Sequence, residues 1–441
     1  VGVAAGTGFV VLDGIEITGF ETQVAAQVVK KQVAQAGTVS RFELGKHFVF
    51  CECTSVCAEF VQATIANGQQ PQLVKIRVVV APATAQVAKQ AIGNDEAQGA
   101  LSLLPRQAHE LGQYVMPPMH LERSTREGGA RAAMDAAPHR LKGSFDVGGQ
   151  EQFYLEGQIS YATPKEDGAV HIHCSTQHPS EMQHLVAHAL GVASHSVHVE
   201  CRRMGGGFGG KESQSALFAC VAAVAATRLQ KPVKLRLDRD DDFMVTGKRH
   251  PFAYEWDVGF DDAGRITGLK LMMAANCGFS ADLSGPVADR AVFHCDNAYF
   301  LQDVEIASYR CKTNTQSHTA FRGFGGPQGV IAIETILGDI ARALGRDALD
   351  VRMANLYGLG ERNITHYQMP VEDNILHDLL PKLELSAQYR QRKEAISAWN
   401  ARNAVLKRGI AITPVKFGIS FTATLFNQAG ALVHVYTDGS V

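Results

Sequence analysis

Two glycine clusters in this chain each lie directly in front of a long apolar segment. Residues 205–210 follow an alternating segment, 197–203, and precede the apolar residues 213–229. Residues 323–326 precede a second apolar segment, 328–344, and each cluster holds a phenylalanine between glycines. The apolar segments have the length of buried helices. Because backbone N–H groups at helix N-termini bind anionic or electron-rich groups, two such loops predict a shared site for a cofactor or substrate.

The first glycine cluster fits two phosphate-binding patterns, and both fail on neighbouring residues. Gly205, Gly207 and Gly210 satisfy GxGxxG, but the preceding segment alternates, whereas the first strand of a dinucleotide-binding fold is apolar on both faces. The pattern GxxxxGK is satisfied up to Lys211, but Glu212 replaces the Ser or Thr that would hold magnesium. Nucleotide hydrolysis is therefore rejected and dinucleotide binding ranks last, while a mobile glycine hinge remains the alternative to a binding loop.

Several local patterns predict secondary structure near these loops. Residues 169–174 alternate and predict a half-buried strand. Ser180 and Gln183 have the spacing of a capping box, and Gly191 is suited to end the helix that follows. Residues 74–80 and 48–53 are rich in strand-forming residues, whereas residues 99–140, which contain many Pro and Gly, are interpreted as a connecting region.

Composition narrows the class of protein. The 441 residues are too many for one compact core and predict two or three domains. Lys and Arg total 42 and Asp and Glu total 44, a net charge of −2 that argues against binding to nucleic acid or to an anionic membrane. The 9 cysteines mostly occur singly, which suits buried thiols in a reducing, cytoplasmic setting. Cys51, Cys53 and Cys57 cluster, but free thiols explain them better than a metal site.

Long motifs in a fixed order resemble the xanthine dehydrogenase and aldehyde oxidase family, from about Gly112 to the last residue. The strongest are residues 202–212, which contain the first glycine cluster, and residues 319–328, which contain the second. Further motifs agree with this resemblance, namely residues 148–157, 175–179, 247–252, 311–314 and 417–422.

The resemblance implies an α+β fold with mixed sheets and several domains. It predicts a small α/β hammerhead-like domain over residues 1–140, although residues 1–110 match the family poorly. A first molybdopterin-binding domain is expected over 141–390, and the start of a second over 391–441. In the family, the remainder of that second domain carries the general-base glutamate. The chain alone is therefore expected to be inactive and to bind the cofactor poorly or not at all.

The resemblance also implies a cofactor and the residues around it. The cofactor is molybdenum held by a pterin dithiolene, which carries out the hard chemistry while the protein orients the substrate. No side chain is expected to bind the metal directly. Gln177 is expected to hydrogen-bond the apical oxygen on molybdenum, and Phe208 and Gly209 to place backbone groups beside the metal ligands and pterin. Arg322 is expected to lie next to the cofactor.

The expected substrate is hypoxanthine or xanthine, oxidised to urate with oxygen from water. The resemblance assigns catalytic and binding roles to Glu212 and Arg290, on opposite sides of the purine. Phe324 and Phe421 are expected to enclose the flat ring, and Thr422 to contact a substrate oxygen. The aldehyde-oxidising branch of the family usually has apolar residues where this chain has Glu212 and Arg290, so a purine is preferred over an aldehyde.

The resemblance finally implies partners. The expected chain is the large, molybdenum-binding subunit of the bacterial type, working with a small subunit that carries [2Fe–2S] clusters and FAD and passes electrons to NAD. A heterotetramer of two large and two small subunits is predicted. Two alternatives remain open: a hydroxylase of aldehydes or other N-heteroaromatic compounds, and a non-catalytic fragment or scaffold that retains the fold.

Overall fold

A computed structural model describes residues 11–16, 61–67, 70–79, 101–419 and 430–441. The predicted strand at 48–53 lies outside the described residues, as do Phe421 and Thr422. The described strands form two sheets. In chain order they are β1 (Val11–Glu16), β2 (Val61–Asn67), β3 (Gln70–Val79), β4 (Tyr114–Arg123), β5 (His139–Val147), β6 (Ile159–Pro164), β7 (Val170–Cys174), β8 (Val197–Glu200), β9 (Val233–Arg236), β10 (Phe252–Phe260), β11 (Ile266–Gly278) and β12 (Val304–Lys312).

Some helices pack on these sheets and others pack on neighbouring helices. The helices are α1 (Pro105–Glu110), α2 (Gly129–Asp135), α3 (Pro179–Leu190), α4 (Ser215–Leu229), α5 (Arg239–Val245), α6 (Ser284–His294), α7 (Gly326–Leu344), α8 (Ala348–Asn355), α9 (Leu376–Ser386) and α10 (Tyr389–Arg402), with short 3-10 turns at Glu166–Gly168 and Ser194–Ser196. None of the helices within the described ranges combines the length and apolar character required to cross a bilayer.

The larger core lies on the five-stranded sheet, whose order is β4-β12-β11-β10-β5. Helix α7 buries Ile333, Ile336, Leu337 and Ile340 completely in this core. Those residues recur at helical spacing and form one apolar stripe, as expected for a helix that packs on a sheet. Most pairs in the sheet are antiparallel, but β11 and β12 are parallel, so the sheet is mixed and confirms the predicted α+β class.

The seven-stranded sheet, ordered β1-β3-β2-β9-β6-β7-β8, carries the strand that leads into the first glycine cluster, whereas β12 of the other sheet precedes the second. Helices α3 and α4 pack on it over a second core. The strand predicted at 169–174 is confirmed as β7, and the apolar segment 213–229 forms α4. Strand β2 pairs with β9, so this sheet joins strands on both sides of residue 140, and the predicted division into domains remains a proposal.

The predicted capping box is wrong. Helix α3 begins at Pro179 without a side-chain cap, because its N-terminal residue is a proline that needs no N–H partner. Gln183 instead donates from Nε2 to the carbonyls of Ser194 and Val197, at 3.0 and 2.8 Å. The predicted end of the helix is confirmed, since Gly191 has φ +70°.

The interpretation of residues 99–140 as a connecting region is also wrong over its described part. It contains α1, β4 and α2, and β4 pairs antiparallel with β12. The two prolines in β4 mislead a reading from sequence, but β4 is an edge strand, where proline is tolerated. Helix α2 packs so closely on the sheet that a Cβ at Gly268 would lie 2.7 Å from the carbonyl oxygen of Ala130.

Candidate functional site

The two glycine loops meet through their backbones. The first glycine loop is residues 205–212 and the second is residues 319–326. The N–H of Arg322 donates to the carbonyl of Phe208 at 2.8 Å. Gly209 has φ +102°, and a Cβ there would lie 2.6 Å from the carbonyl oxygen of Ala320. Only glycine fits this conformation and this close approach, so the two clusters form one continuous surface.

Gln177 is held by the first glycine loop in one orientation. Its N–H donates to the carbonyl of Lys211 at 2.8 Å. Its side-chain Oε1 accepts from the N–H groups of Gly209 and Lys211, at 2.8 and 3.3 Å. An atom that faces two backbone donors must be the amide oxygen. The Nε2 group of this exposed side chain therefore points away from the loop as a donor.

Both loops hold a phenylalanine in a left-handed backbone conformation. Phe208 has φ +54° and Phe324 has φ +47°. A non-glycine residue there costs on the order of 1–2 kcal/mol, and such strain is concentrated at functional sites. Phe208 leaves 47% of its surface exposed. Phe208 and Gln177 are thus both exposed at the first glycine loop, whereas Gly207, Gly209 and Gly210 are buried.

Lys211 supports the first glycine loop from inside the protein. The side chain is fully buried, and its Nζ donates to the carbonyl of Glu156 at 2.6 Å and to Oγ of Ser175 at 2.7 Å. Its Nζ also lies 3.3 Å from Oε1 of Glu156 and 4.8 Å from the ring centre of Tyr154. Burial lowers the pKa of Lys211, and Glu156 opposes this effect. The lysine that mimics a phosphate ligand in sequence is therefore a structural link between three segments.

The same support extends to other residues to which the sequence gave no role. Tyr154 donates from its hydroxyl to Oδ1 of Asp242 at 2.6 Å, and Gln158 donates from Nε2 to the carbonyl of Gly210 at 3.0 Å. Gln152 donates to the carbonyl of Ala320 in the second glycine loop at 2.9 Å. Three of these side chains come from the family motif 148–157 or the residue after it, and only that motif could have indicated them.

Glu212 ends the first glycine loop in a partly buried position. Burial raises the pKa of its carboxyl to about 7, and the nearby carboxylate of Asp282 adds to the effect. Burial also raises the pKa of Asp282, whose Oδ2 accepts from Nε2 of Gln214 at 2.9 Å. Among the described residues, no hydrogen bond reaches the carboxyl of Glu212. The carboxyl can therefore both donate and accept near neutral pH.

Arg290 projects from α6 towards the second glycine loop. The residue is 4% exposed, and its guanidinium carbon lies 5.8 Å from the ring centre of Phe324 and 5.4 Å from that of Phe417. Its Nη1 donates to the carbonyl of Gly418. Burial lowers the pKa of Arg290. A buried cation between aromatic rings is available to stabilise negative charge.

His294, one turn after Arg290, holds the same segment. Its Nε2 accepts from the N–H of Gly418 at 3.0 Å, and its Nδ1 lies 3.1 Å from the carbonyl of Arg290. These contacts require the neutral tautomer with the proton on Nδ1. Burial lowers the pKa of His294, which favours that neutral form. Arg290 and His294 together fix both backbone groups of Gly418.

Arg322 lies at the surface, and its backbone is held by a residue that the sequence reasoning missed. Arg249 donates from Nη2 to the carbonyl of Arg322 at 2.8 Å and stacks on the ring of Phe321, 4.1 Å from its centre. Burial lowers the pKa of Arg249 to about 10. Arg249 belongs to the family motif 247–252, but the sequence does not indicate its role because its partners lie about 70 residues further along the chain.

The described site residues predicted from the sequence thus lie in two groups. Gln177, Phe208, Gly209 and Arg322 are joined by the backbone contacts of the two loops. Arg290 and Phe324 lie together where α6 packs against the second glycine loop: a Cβ at Gly325 would come within 2.0 Å of the carbonyl of Val287. Glu212 connects to the start of α6 through Asp282.

Comparison with known proteins shows the family of the chain. Residues 114–356, more than half of the chain, match a family described as the molybdopterin cofactor-binding domain, and residues 382–441 match a second domain of the same description. The fold and the paired loops define a cofactor-binding domain of molybdenum-dependent oxidoreductases. The chain belongs to the molybdopterin cofactor-binding family of the xanthine dehydrogenase type, and the predicted molybdenum–molybdopterin cofactor is confirmed.

Relatives with curated names cover most of this chain. Xanthine dehydrogenase of Calliphora vicina is 44% identical over 319 residues, which are 72% of this chain and 23% of that protein. Xanthine dehydrogenase/oxidase of Gallus gallus is 44% identical over 337 residues, 76% of this chain and 24% of the relative. The chain therefore spans about a quarter of the length of these relatives.

Solved structures share the fold at lower identity. Quinoline 2-oxidoreductase from Pseudomonas putida 86 matches with a TM-score of 0.60 and 18% identity, over 91% of this chain and 52% of that one. Aldehyde oxidoreductase from Desulfovibrio gigas matches with a TM-score of 0.59 and 21% identity, over 76% and 36%. The residues of this chain suit the cofactor, because Gln177 directs a donor outward beside the exposed Phe208.

Proposed function

We propose that this chain is the cofactor-binding part of a molybdenum hydroxylase that oxidises hypoxanthine and xanthine to urate. Bound molybdenum–molybdopterin supplies the oxygen transfer and takes up the electrons. The observation that carries the proposal is the pair of charged side chains, Glu212 and Arg290, kept partly or wholly out of water beside the two glycine loops. A carboxyl held largely out of water, such as that of Glu212, is costly in its charged form unless it meets a ligand or partner, and a purine with several oxygens and ring nitrogens is such a ligand.

Glu212 recognises the polar edge of the purine. A carboxyl whose pKa is about 7 is populated in both protonation states at neutral pH. It accepts a hydrogen bond from a ring N–H or donates one to a ring nitrogen, as the substrate requires. Because the group is largely shielded from water, each such bond is stronger than it would be at the surface. An aldehyde offers no matching edge.

Arg290 acts on the opposite side of the substrate by stabilising negative charge that develops on the ring as its carbon is attacked. Its cation is already in place and shielded, so little reorganisation is needed during the reaction. Phe324, beside Arg290, stacks on one face of the ring. Phe421 covers the other face, and Thr422 contacts a substrate oxygen. These last two roles rest on the family motif at 417–422.

The cofactor is held by the joined loops. Gln177 would help to hold the metal centre through its Nε2 donor, because Oε1 is already satisfied by the loop. Phe208 and Gly209 present backbone groups to the pterin and the metal ligands, and Arg322 flanks them. The proposed domains are a small hammerhead-like unit over 1–140, a first cofactor domain over 141–390 and the start of a second over 391–441.

The electrons leave through a partner. We assign to it two [2Fe–2S] clusters and FAD, with NAD as the final acceptor, in an assembly of two large and two small subunits in the cytoplasm.

The experiment compares substrates in the cofactor-loaded protein isolated with its partners. Urate formation from xanthine and acid formation from an aromatic aldehyde are measured for the parent, for Glu212→Gln and for Arg290→Gln. Loss of one charged contact in the transition state costs about 2–4 kcal/mol, or about 30- to 1000-fold in kcat/KM. Arg228→Gln, an exposed cation at the end of α4, is the matched control.

The three possible outcomes are distinct. The proposal requires that both substitutions lower kcat/KM for xanthine strongly. The control Arg228→Gln should keep the parental value. A parent that oxidises the aldehyde but not xanthine would instead select the aldehyde-oxidising or heteroaromatic branch. A parent with stoichiometric molybdenum and no activity on either substrate would select the non-catalytic scaffold.

A further inference from the structure

A group of histidines and one glutamate lies on the face of the seven-stranded sheet opposite its core. Strands β7 and β8 are parallel, with His171 paired to His198 and His173 paired to Glu200. The alternate residues of β7, such as Ile172, are buried in the core. Side chains at i and i+2 on a strand share one face. The four side chains therefore form a two-by-two patch at the edge of the sheet, where β8 is the last strand.

The donor atoms of this patch already converge. Nε2 of His171 lies 3.2 Å from Oε2 of Glu200, and Nδ1 of His173 lies 3.6 Å from the same oxygen. The ring centres of His171 and His198 are 4.7 Å apart. One ligand atom from each of His171, His198 and Glu200 can be chosen so that all lie within 4.8 Å of one another.

One nitrogen and one oxygen of the patch face each other without a hydrogen bond. Nε2 of His171 is shielded from water and makes no hydrogen bond, although Oε2 of Glu200 is close. Arg202 donates to Oε1 of Glu200, which leaves Oε2 to face the histidines.

We infer that His171, His198 and Glu200 bind a divalent transition-metal ion, with zinc the best match and His173 available as a fourth ligand. Two or three imidazole nitrogens with one carboxylate oxygen form a donor set that zinc accepts in tetrahedral geometry. With bonds of about 2.0–2.2 Å, tetrahedral ligand atoms are about 3.3–3.6 Å apart. The observed separations, at most 4.8 Å, require side-chain rotations that close up to about 1.2–1.5 Å. Calcium and magnesium prefer oxygen donors and are poor candidates.

Such an ion would join two strands, one of which leads to Gln177 and the other to the first glycine loop. Strand β7 ends at Cys174, three residues before Gln177, and β8 ends at Glu200, five residues before the first glycine loop. Crosslinking the two strands would therefore restrain Gln177 relative to Gly209, the contact that orients the side chain of Gln177. This site is separate from the one in the proposed function, and its test needs no enzymatic activity.

The test is a titration of the purified chain with Co²⁺, followed by displacement with Zn²⁺. A tetrahedral site with nitrogen and oxygen donors gives visible d–d bands without the near-ultraviolet charge-transfer bands of a thiolate. We expect these bands in the parent chain, and a dissociation constant raised at least about tenfold in His198→Ala and Glu200→Gln, since each removes one of three ligands. Glu200→Gln preserves the shape of the side chain and guards against misfolding.

His195→Ala is the matched control, because His195 is exposed on the turn before β8 and lies outside the patch. It should bind Co²⁺ as the parent does. Zn²⁺ should raise the Tm of the parent and of His195→Ala but not that of the two patch variants. Equal Co²⁺ affinity in the parent and the patch variants, or spectra dominated by thiolate charge transfer, would overturn the inference and assign the binding to other residues, such as Cys51 or Cys53.

Discussion

The stability of the Glu212→Gln variant relative to the parent should increase as the pH rises. The pKa of Glu212 is raised from its ordinary value of 4.5 to about 7, chiefly by burial. A raised pKa means that the folded state prefers the protonated carboxyl. The stability associated with this group is therefore fully present below about pH 4.5 and is lost as the pH rises through 7. Glutamine has no charge to desolvate and does not show this loss.

The size of the effect follows from the two pKa values. Each pKa unit corresponds to 1.36 kcal/mol, so the difference between 4.5 and about 7 corresponds to roughly 3 kcal/mol. The side chain retains partial exposure, and solvent screening reduces the value to about 2–3 kcal/mol. For domains of this size, 1 kcal/mol shifts Tm by about 2–4 °C. The Tm difference between variant and parent should grow by about 4–12 °C from pH 4.5 to pH 8.

Thermal unfolding of parent and variant is followed across that pH range without added cofactor, and only their difference is interpreted, because other titrating groups cancel. Glu166→Gln is the control, since Glu166 is exposed in the turn before β7. The pH dependence of Glu212→Gln is compared with that of this control. Parallel Tm curves for the parent and Glu212→Gln would refute the claim that Glu212 is held in an environment that penalises its charge.

Three further substitutions test the supports of the site. Gly209→Ala should destabilise the protein by at least about 2 kcal/mol, because the Cβ would lie 2.6 Å from the carbonyl oxygen of Ala320 at φ +102°. Lys211→Met should cost about 3–5 kcal/mol, since it removes a fully buried cation that is bonded to Glu156 and Ser175. Asp296→Asn should cost about 3–5 kcal/mol, because it leaves the largely buried Lys416, 3.0 Å away, without its carboxylate. Urea unfolding at neutral pH measures all three.

For each of these three predictions, one result would contradict the reasoning. Gly148→Ala, where a Cβ would meet nothing within 4 Å, should be nearly neutral, and equal losses at Gly148 and Gly209 would argue against the close contact of the loops. If Lys211→Met left the free energy of unfolding unchanged, apolar packing would fully replace the buried ion pair. If Asp296→Asn left the free energy of unfolding unchanged, the hydrogen bond from the hydroxyl of Tyr357 to residue 296, 2.6 Å long in the parent, would be sufficient without the ion pair.

The parts of the site that the sequence predicted are those with local signals. The apolar segment 213–229, the alternation in 169–174 and the glycine at 191 each reflect a period or a backbone requirement that operates over a few residues. The two glycine clusters predicted a shared surface, and the hydrogen bond between Arg322 and Phe208 confirms that they meet. The residue roles at that surface came from the family resemblance and remain proposals.

The parts that the sequence could not predict depend on contacts between distant segments. Lys211 resembles a phosphate ligand until its contact with Glu156, 55 residues earlier, is known. Gln183 has the spacing of a capping residue, but its amide finds partners beyond the end of the helix. The prolines in β4 indicated a linker because nothing local reveals that the strand occupies a sheet edge. The metal-binding patch needs the parallel register of β7 and β8, which no single segment encodes.

The pairing of β5 with β10 has a consequence for how the protein is made. Val147 at the end of β5 pairs with Phe252 at the start of β10, so roughly 100 residues, including β6–β9, must leave the ribosome between the two partners. At about 5–20 residues per second, β5 waits on the order of 5–20 s before its neighbour is available. An unpaired strand with one half-buried face can associate with other chains during that interval. The yield of folded protein should therefore depend on chaperones that bind the nascent chain, or on slower translation after β10 that gives the two strands time to pair.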